Sequence, residues 1–497
     1  YKGLHRMTNL SDLFPAGAGK QVSFVASGTL SNGQTVILNT NGTVSGVSGA
    51  TEGVGSEAVF ESANAQGIQA AYDANSDTVV IIYGDYGSSR AGTAVVGTVS
   101  GTSISFGTPA VFESVTPYGV RTDGNSITYD ANAQKVVIAY IRDRSDIGEL
   151  YGRSVVGTVS GTSISFGTNV AFSSTVNIAH VSCDYDSTAQ KVVVSYQDVD
   201  PGSGHGYAVV GTVSGTSISY GTPVVFESAT TTQTTTAYDA NANKTVIGYR
   251  DGGNSEHGTA IVGTVSGTAI SFGTAVVFNS SDQEALASTY DSTAQKIVIA
   301  YQDKGSSPVN KGTAIVGTVS GTSISFGTEV VFNAAINDHL GVTYDANANK
   351  VVIAYTTASA GNAITGTVSG TSISFGTDTV FNSAVSQFPA PVYNSTDNKI
   401  PIAFNDNGNS NYGTGVVYTV GSSTNTSFIG IADAAIANTA SGNVTIKGGI
   451  AVNGLSSLTP GADYYVQGDG SISTTSTGLA VKIGKAMSAT SINLEYQ

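Results

Sequence analysis

Two short strings recur along this chain, and their repetition limits the folds open to it more than any other feature. Gly-Thr-Val-Ser-Gly begins at Gly97, Gly157, Gly211, Gly263, Gly317 and Gly366, with an outlying copy at Gly42. A string of the type Tyr-Asp-Ala-Asn-Ala-Gln-Lys begins at Tyr72, Tyr129, Tyr185, Tyr238, Tyr290, Tyr344 and, in degenerate form, Tyr393. Seven copies of the second string imply seven units, and a spacing of roughly 50 residues is that of propellers or solenoids.

One unit, residues 126–172, reads as four strands. Residues 126–129 end at Asp130-Ala131-Asn132-Ala133, a turn sequence whose Asp and Asn side chains bond their own backbone. Residues 135–140, Lys-Val-Val-Ile-Ala-Tyr, lack the alternation of a one-sided strand, so both faces should be covered. Residues 154–159 and 163–172 form a hairpin across Ser160-Gly161-Thr162. Four-stranded meanders covered on both faces must stack on one another, and radial stacking gives the propeller. A β-solenoid is the competing architecture, but its coils carry fewer tight turns.

The expected fold is therefore all-β: a seven-bladed β-propeller with four-stranded antiparallel blades, plus a small C-terminal β module, eight blades being the alternative. Both ends carry surplus strand material, and Ser56-Glu57-Ala58-Val59-Phe60-Glu61 copies the ending of a fourth strand. The N-terminal piece should complete the blade that holds Tyr393. The expected division is a segment at 1–20, the propeller at 21–427 and the module at 428–497.

Connections in a meander alternate between its two ends. The first and third connections are nearly uniform among the copies, whereas the second connections and the crossings between blades differ in length and chemistry. Such loops on a rigid scaffold are where recognition concentrates. The ligand-binding expectation is accordingly placed on Tyr118 and Arg121 in one crossing, Arg142 and Arg144 in an enlarged loop at 141–153, and His180 in another crossing.

Other chemistry is thinly supported. A net charge of -15 disfavours nucleic acid and anionic lipid. No apolar run reaches the roughly 20 residues of a spanning helix. Cys183 is the sole cysteine, which excludes an intrachain disulfide and a thiolate zinc cluster. The five histidines show no paired ligand spacing, so no metal and no cofactor is expected; calcium would have only Asp303, Asn405, Asp406, Asn407 and Asn409 in Gly-rich loops. Glycosidic chemistry needs paired carboxylates that break the repeat register. Asp73, Asp130, Asp186, Asp239, Asp291 and Asp345 keep that register as turn residues, so no catalytic residue is assigned.

After the last repeat come Leu458-Thr459-Pro460-Gly461-Ala462-Asp463-Tyr464-Tyr465-Val466 and Gly484-Lys485-Ala486-Met487-Ser488-Ala489-Thr490. This ordered set resembles the terminal module of structural and fibre proteins of marine tailed phages, and the propeller repeats resemble those of predicted virion proteins from such phages. The resemblance implies a non-enzymatic virion surface or appendage protein, such as a tail fibre, that recognises a host-surface glycan or protein. Its C-terminal module would contact other virion proteins or form a homo-oligomer. A secreted or cell-surface bacterial adhesin is the first alternative, and a polysaccharide-degrading propeller enzyme the second.

Overall fold

A computed structural model describes residues 21–50, 52–114, 119–144, 147–200, 204–305, 310–337, 339–424, 427–476 and 480–495. The chain divides into two compact units: one is Gly53–Val420, and the other combines the described residues up to Glu52 with those from Gly421 on.

The larger unit is a β-propeller, and its architecture follows from the middle strand of each repeat. Val136, Val137, Ile138, Ala139 and Tyr140 are all fully buried. Their strand, Lys135–Arg144, lies between the inner strand Val120–Asp130 and the third strand Glu149–Ser160, antiparallel to both. Thr78–Asp85, Lys191–Asp198, Lys244–Asp251, Lys296–Asp303, Lys350–Thr356 and Ile400–Asp406 occupy the same place in their own meanders. Among the described residues seven such meanders follow in chain order, numbered here as blades 1 to 7 by their copies of the Tyr-Asp string.

Because each middle strand is apolar on both faces, every blade requires two neighbours. A separate buried cluster lies between each consecutive pair, and one more, containing Phe60, Ile68, Ile81 and Ala403, joins blade 7 to blade 1. An aromatic contact recurs at each of these interfaces. The Phe of an outer strand meets the aromatic residue of the next middle strand with centroids 5.1 to 5.4 Å apart: Phe60 with Tyr83, Phe112 with Tyr140, Phe172 with Tyr196, Phe226 with Tyr249, Phe278 with Tyr301, Phe332 with Tyr355 and Phe381 with Phe404. Such pairs add about 0.5–1.5 kcal/mol beyond the area they bury. Several of these phenols also donate back across the interface, as Tyr140 does to Glu113 at 2.9 Å and Tyr249 to Glu227 at 3.2 Å. The circle closes where Ala58–Asp73 begins, since Ala58, Val59 and Glu61 pair with Gly415, Thr414 and Gly413 of blade 7.

The fourth strand departs from the sequence reading. In blade 2 it is two pieces, Ser163–Phe166 and Val170–Ala171, both paired with Glu149–Ser160. The break follows Phe166, where Gly167 donates to Val156 at 2.9 Å and abuts the Thr216 carbonyl of the next blade. Gly55, Gly107, Gly221, Gly273 and Gly327 repeat this approach against Thr102, Thr162, Thr268, Thr322 and Thr371. Only glycine lets the two backbones come so close.

The expected boundary at 21 is also corrected. Gln21–Val25 pairs with Ser441–Ile446, and Thr35–Leu38 pairs with Phe428–Ala432, so these N-terminal strands build the smaller unit and not the propeller. That unit holds two five-stranded sheets sharing a core of Ile37, Val47, Phe428, Ile431, Tyr464, Val466 and Ile483. Val36 and Ile37 are buried on opposite faces of their strand, which needs cover on both sides and finds it among the C-terminal strands.

Adding a methyl at the close approach should be felt. Gly221→Ala is expected to destabilise by about 1–3 kcal/mol through overpacking. Gly376→Ala, at the one repeat glycine whose added Cβ would have its nearest neighbour at an acceptable 3.4 Å, should change stability by about 0.5 kcal/mol or less. Urea-denaturation midpoints of the two variants test the contrast.

Candidate functional site

Inner strands of a propeller converge on its axis, and here they carry a recurrent irregularity. The register between inner and middle strands slips between Gln66 and Gln69, Ala179 and Ser182, Thr232 and Thr235, Glu284 and Ala287, and Gln387 and Ala390. Each slip is a β-bulge that re-aims the side chains beside it. Gly67, His180, Gln233, Ala285 and Phe388 stand at these bulges with φ from 50° to 61°. A left-handed conformation is uncommon for residues other than glycine, so four of these five sites hold modest backbone strain.

The bulges surround the mouth of an axial channel. His180, Gln233, His339, Phe388, Gln69 and Asn125 help line a cavity of about 260 Å³. The His339 and Phe388 rings meet edge to face at 4.3 Å. This mouth lies toward the start of the inner strands, the end served by the variable crossings, whereas the uniform Asp turns lie at the other end. A deeper cavity of about 320 Å³ continues from it, lined by backbone and by Ser126, Ser182, Thr235, Thr236, Ser288 and Thr289 among others.

One carboxyl, Asp184, stands among the residues lining either cavity. Its Oδ1 accepts the Tyr185 backbone N–H at 2.8 Å and its Oδ2 that of Tyr238, on the neighbouring blade, at 2.8 Å. Those donors favour the anion, but removal from bulk water outweighs them and pushes the carboxyl up to about 6. Beside it Cys183 is buried, with its thiol pushed up to about 12 mainly by that burial and its sulfur 3.4 Å from Ser126 Oγ. It is therefore a poor nucleophile. Tyr290 also lines the deeper cavity, and burial raises its phenol, which keeps it neutral.

The expected binding residues divide into separate places. Tyr118 lies outside the described residues. His180 lines the channel mouth, and Arg121 is half-buried near the start of the blade 2 inner strand with partners of its own. Arg142 and Arg144 are strand residues, because Lys135–Arg144 and Glu149–Ser160 continue the ladder into what reads in sequence as a loop. They line neither cavity. Elsewhere on the variable end charges are matched: Arg250 bonds Asp282 and Glu256, each at 2.9 Å, and Lys304 bonds Glu284 at 2.9 Å. The in-register acids behave as turn residues; Asp130, for example, accepts the N–H groups of Asn132 and Ala133 at 3.0 and 2.9 Å. Among the described residues no three His, Cys, Asp or Glu side chains gather into a metal site.

Sequence reasoning missed Gln233, His339, Phe388 and Asp184, although a signal was present. Five residues before each repeat Tyr stand Gly67, Gly124, His180, Gln233, Ala285, His339 and Phe388, a diverse column in a uniform strand. Immediately before that Tyr the other copies have Ala71, Thr128, Ala237, Thr289, Thr343 and Val392, so Asp184 is the lone acid of its column.

No protein-family model and no curated protein matches the chain. The fold is similar to solved sialidases. The NanB sialidase of Streptococcus pneumoniae, in complex with 2-[(3-chlorobenzyl)ammonio]ethanesulfonate, aligns over 73% of this chain and 69% of its own, with 11% identity and a TM-score of 0.42. Trypanosoma rangeli sialidase in complex with the inhibitor DANA aligns over 81% of this chain and 60% of its own, with 14% identity and a TM-score of 0.41. These structures are named as enzymes, and on that finding the expectation of a non-enzymatic surface-display protein is withdrawn. At such identities no residue role is transferred from them.

Asp184 makes stability depend on pH in a definite direction. Its pKa rises from an ordinary 3.8 to about 6 on folding, so the native state keeps a proton that the unfolded chain has lost. Stability should therefore fall as pH rises through that window, with a contribution of up to about 1.4 kcal/mol per pH unit. Thermal unfolding of the wild type and Asp184→Asn at intervals from about pH 4 to about pH 7 should show a shallower decline in the variant.

Proposed function

We propose that this protein acts on carbohydrate, with the substrate entering the axial channel through the ring of His180, Gln233, His339 and Phe388, and with Asp184 as its proton donor. The observation that carries the reading is Asp184 itself: a single carboxyl, held up to about 6, in the wall of an otherwise uncharged cavity rich in hydroxyl and backbone groups. A neutral, hydroxyl-bearing sugar suits such walls, because amides, imidazoles and hydroxyls satisfy its polar edges while Phe388 offers its ring to an apolar face. The resemblance of the repeats to phage virion proteins supports a bacterial surface polysaccharide as the source of that sugar.

A carboxyl with a raised pKa is what general-acid catalysis at mildly acidic pH requires. Asp184 delivers its proton to the departing glycosidic oxygen as the bond to the anomeric carbon breaks. Water then adds to that carbon and returns a proton to the carboxylate. Among the described residues no second carboxyl lines the cavity, so the two-carboxylate arrangements of most glycoside hydrolases are not what these residues assemble.

The test is release of reducing ends from a panel of bacterial polysaccharides. Activity should decline as pH rises above about 6, and Asp184→Asn should lower kcat by about 10²-fold or more. Phe388→Ala should act chiefly on KM. Unchanged turnover by Asp184→Asn, or no turnover on any polysaccharide of the panel, would overturn the assignment.

A further inference from the structure

Blade 2 breaks the chemistry of the repeat on one face of its ladder, and the other blades serve as internal controls. Two residues beyond the repeat aromatic of the middle strand, five other blades carry an acid: Asp85, Asp198, Asp251, Asp303 and Asp406. Each accepts a backbone N–H of the following turn, from Gly87, Asp200, Gly253, Gly305 and Gly408, at 2.8 to 3.1 Å. Blade 2 has Arg142 there. Directly opposite the aromatic residue, four blades carry Thr93, Thr259, Thr313 and Thr414. Blade 2 has Arg153.

The register places the two arginines together. Tyr140 faces Arg153 and Arg142 faces Tyr151, so all four side chains share one face of the sheet and the guanidiniums are diagonal neighbours. Arg153 rests over the Tyr151 ring at 5.7 Å, and both guanidiniums act electrostatically on the Tyr140 hydroxyl. The nearby Glu113 is ion-paired with neither: its Oε2 takes the Tyr140 hydroxyl at 2.9 Å and the Asn169 amide at 3.2 Å. Glu149 accepts from Tyr151. Asp143, on the opposite face, pairs with Arg90 at 3.6 Å. Among the described residues, neither Arg142 nor Arg153 is ion-paired with a carboxylate, and the Nε of each is buried without an acceptor.

We infer that this face of blade 2 is an oxyanion site, in which Arg142 and Arg153 hold a sulfate or carboxylate group through their guanidinium forks. Two unmet Nε–H donors on adjacent planar cations want oxygens spaced as those groups supply them. In a chain of net charge -15, a local reversal from Asp and Thr to two arginines is a specific attraction and not part of a general basic surface. The site stands apart from the channel and does not rest on the carbohydrate reading.

Isothermal titration calorimetry of the full chain with sodium sulfate and, separately, sodium glucuronate tests it, with sodium chloride matching ionic strength. Wild-type protein should bind at least one of the two saturably at one per chain, and which one binds distinguishes a sulfate ester from a uronate as the group recognised. The double variant Arg142→Asp/Arg153→Thr, which installs residues that other blades carry at these positions, should bind about tenfold more weakly or worse while its melting temperature in chloride holds. Arg90→Gln should bind as the wild type does. If the double variant does not fold, Arg153→Lys, which keeps the charge and loses the fork, should still weaken binding. Absence of saturable binding of both anions to the wild type, or equal affinity in the folded variants, would overturn the inference.

Discussion

The propeller depends on one constraint: a middle strand that is apolar on both faces leaves a single blade with two surfaces it cannot expose. Tyr140 with its four preceding neighbours, and Val298 to Tyr301 three blades on, are buried in clusters that the flanking blades complete. The requirement passes from blade to blade until it is met by return to the start. Phe60 supplies that return. It belongs to the strand that pairs with blade 7, and it stacks on Tyr83 of blade 1, so the last interface repeats the aromatic contact of the others. Cooperativity in such an assembly comes from interfaces between copies more than from any blade alone.

Closing the blades about an axis brings seven inner strands together, where full-size side chains from all of them cannot be accommodated alike. The bulges re-aim side chains at the mouth, and the residues they carry differ from copy to copy. A repeat protein thus contains its own controls. Where a column is uniform, as with the Asp turn residues, its chemistry is that of the scaffold. Where one copy departs, as Asp184 does in the channel and Arg142 with Arg153 do on blade 2, a structural need shared by all blades cannot explain the residue. The two departures differ in kind: one places a neutralisable acid in a confined cavity, and the other gathers permanent positive charge at an outer ladder.

Much of the fold could be read along the chain, because turn chemistry and strand periodicity are local. The meander, its Asp and Ser-Gly-Thr turns and the doubly covered middle strand all follow from residues within one repeat. Reading failed where partners lay far away in sequence. Gln21–Val25 reads as spare propeller material, yet its hydrogen bonds go to Ser441–Ile446. The fourth strand reads as continuous, yet a backbone contact from the next blade breaks it beside Gly167. Arg142 and Arg153 read as loop residues, yet nine consecutive residue pairs continue the ladder out to Arg144 and Glu149. His180 stands out by its place in a variable crossing, whereas Gln233, His339 and Phe388 stand out only when one column is compared across all the copies, since nothing within a single repeat marks residues that meet around an axis.

By itself, then, the sequence determined what each repeat must be: an antiparallel meander, sharply turned at both ends, whose central strand needs cover on two sides. Periodicity, β-branched content and turn residues act over a few positions, and they suffice for that. Tertiary structure alone decided which residues share the channel mouth, that one carboxyl would lose its solvent and hold its proton to about pH 6, and that two arginines eleven positions apart would lie side by side. Each of these depends on distances set by ring closure and strand register, and such distances have no counterpart in spacing along the chain.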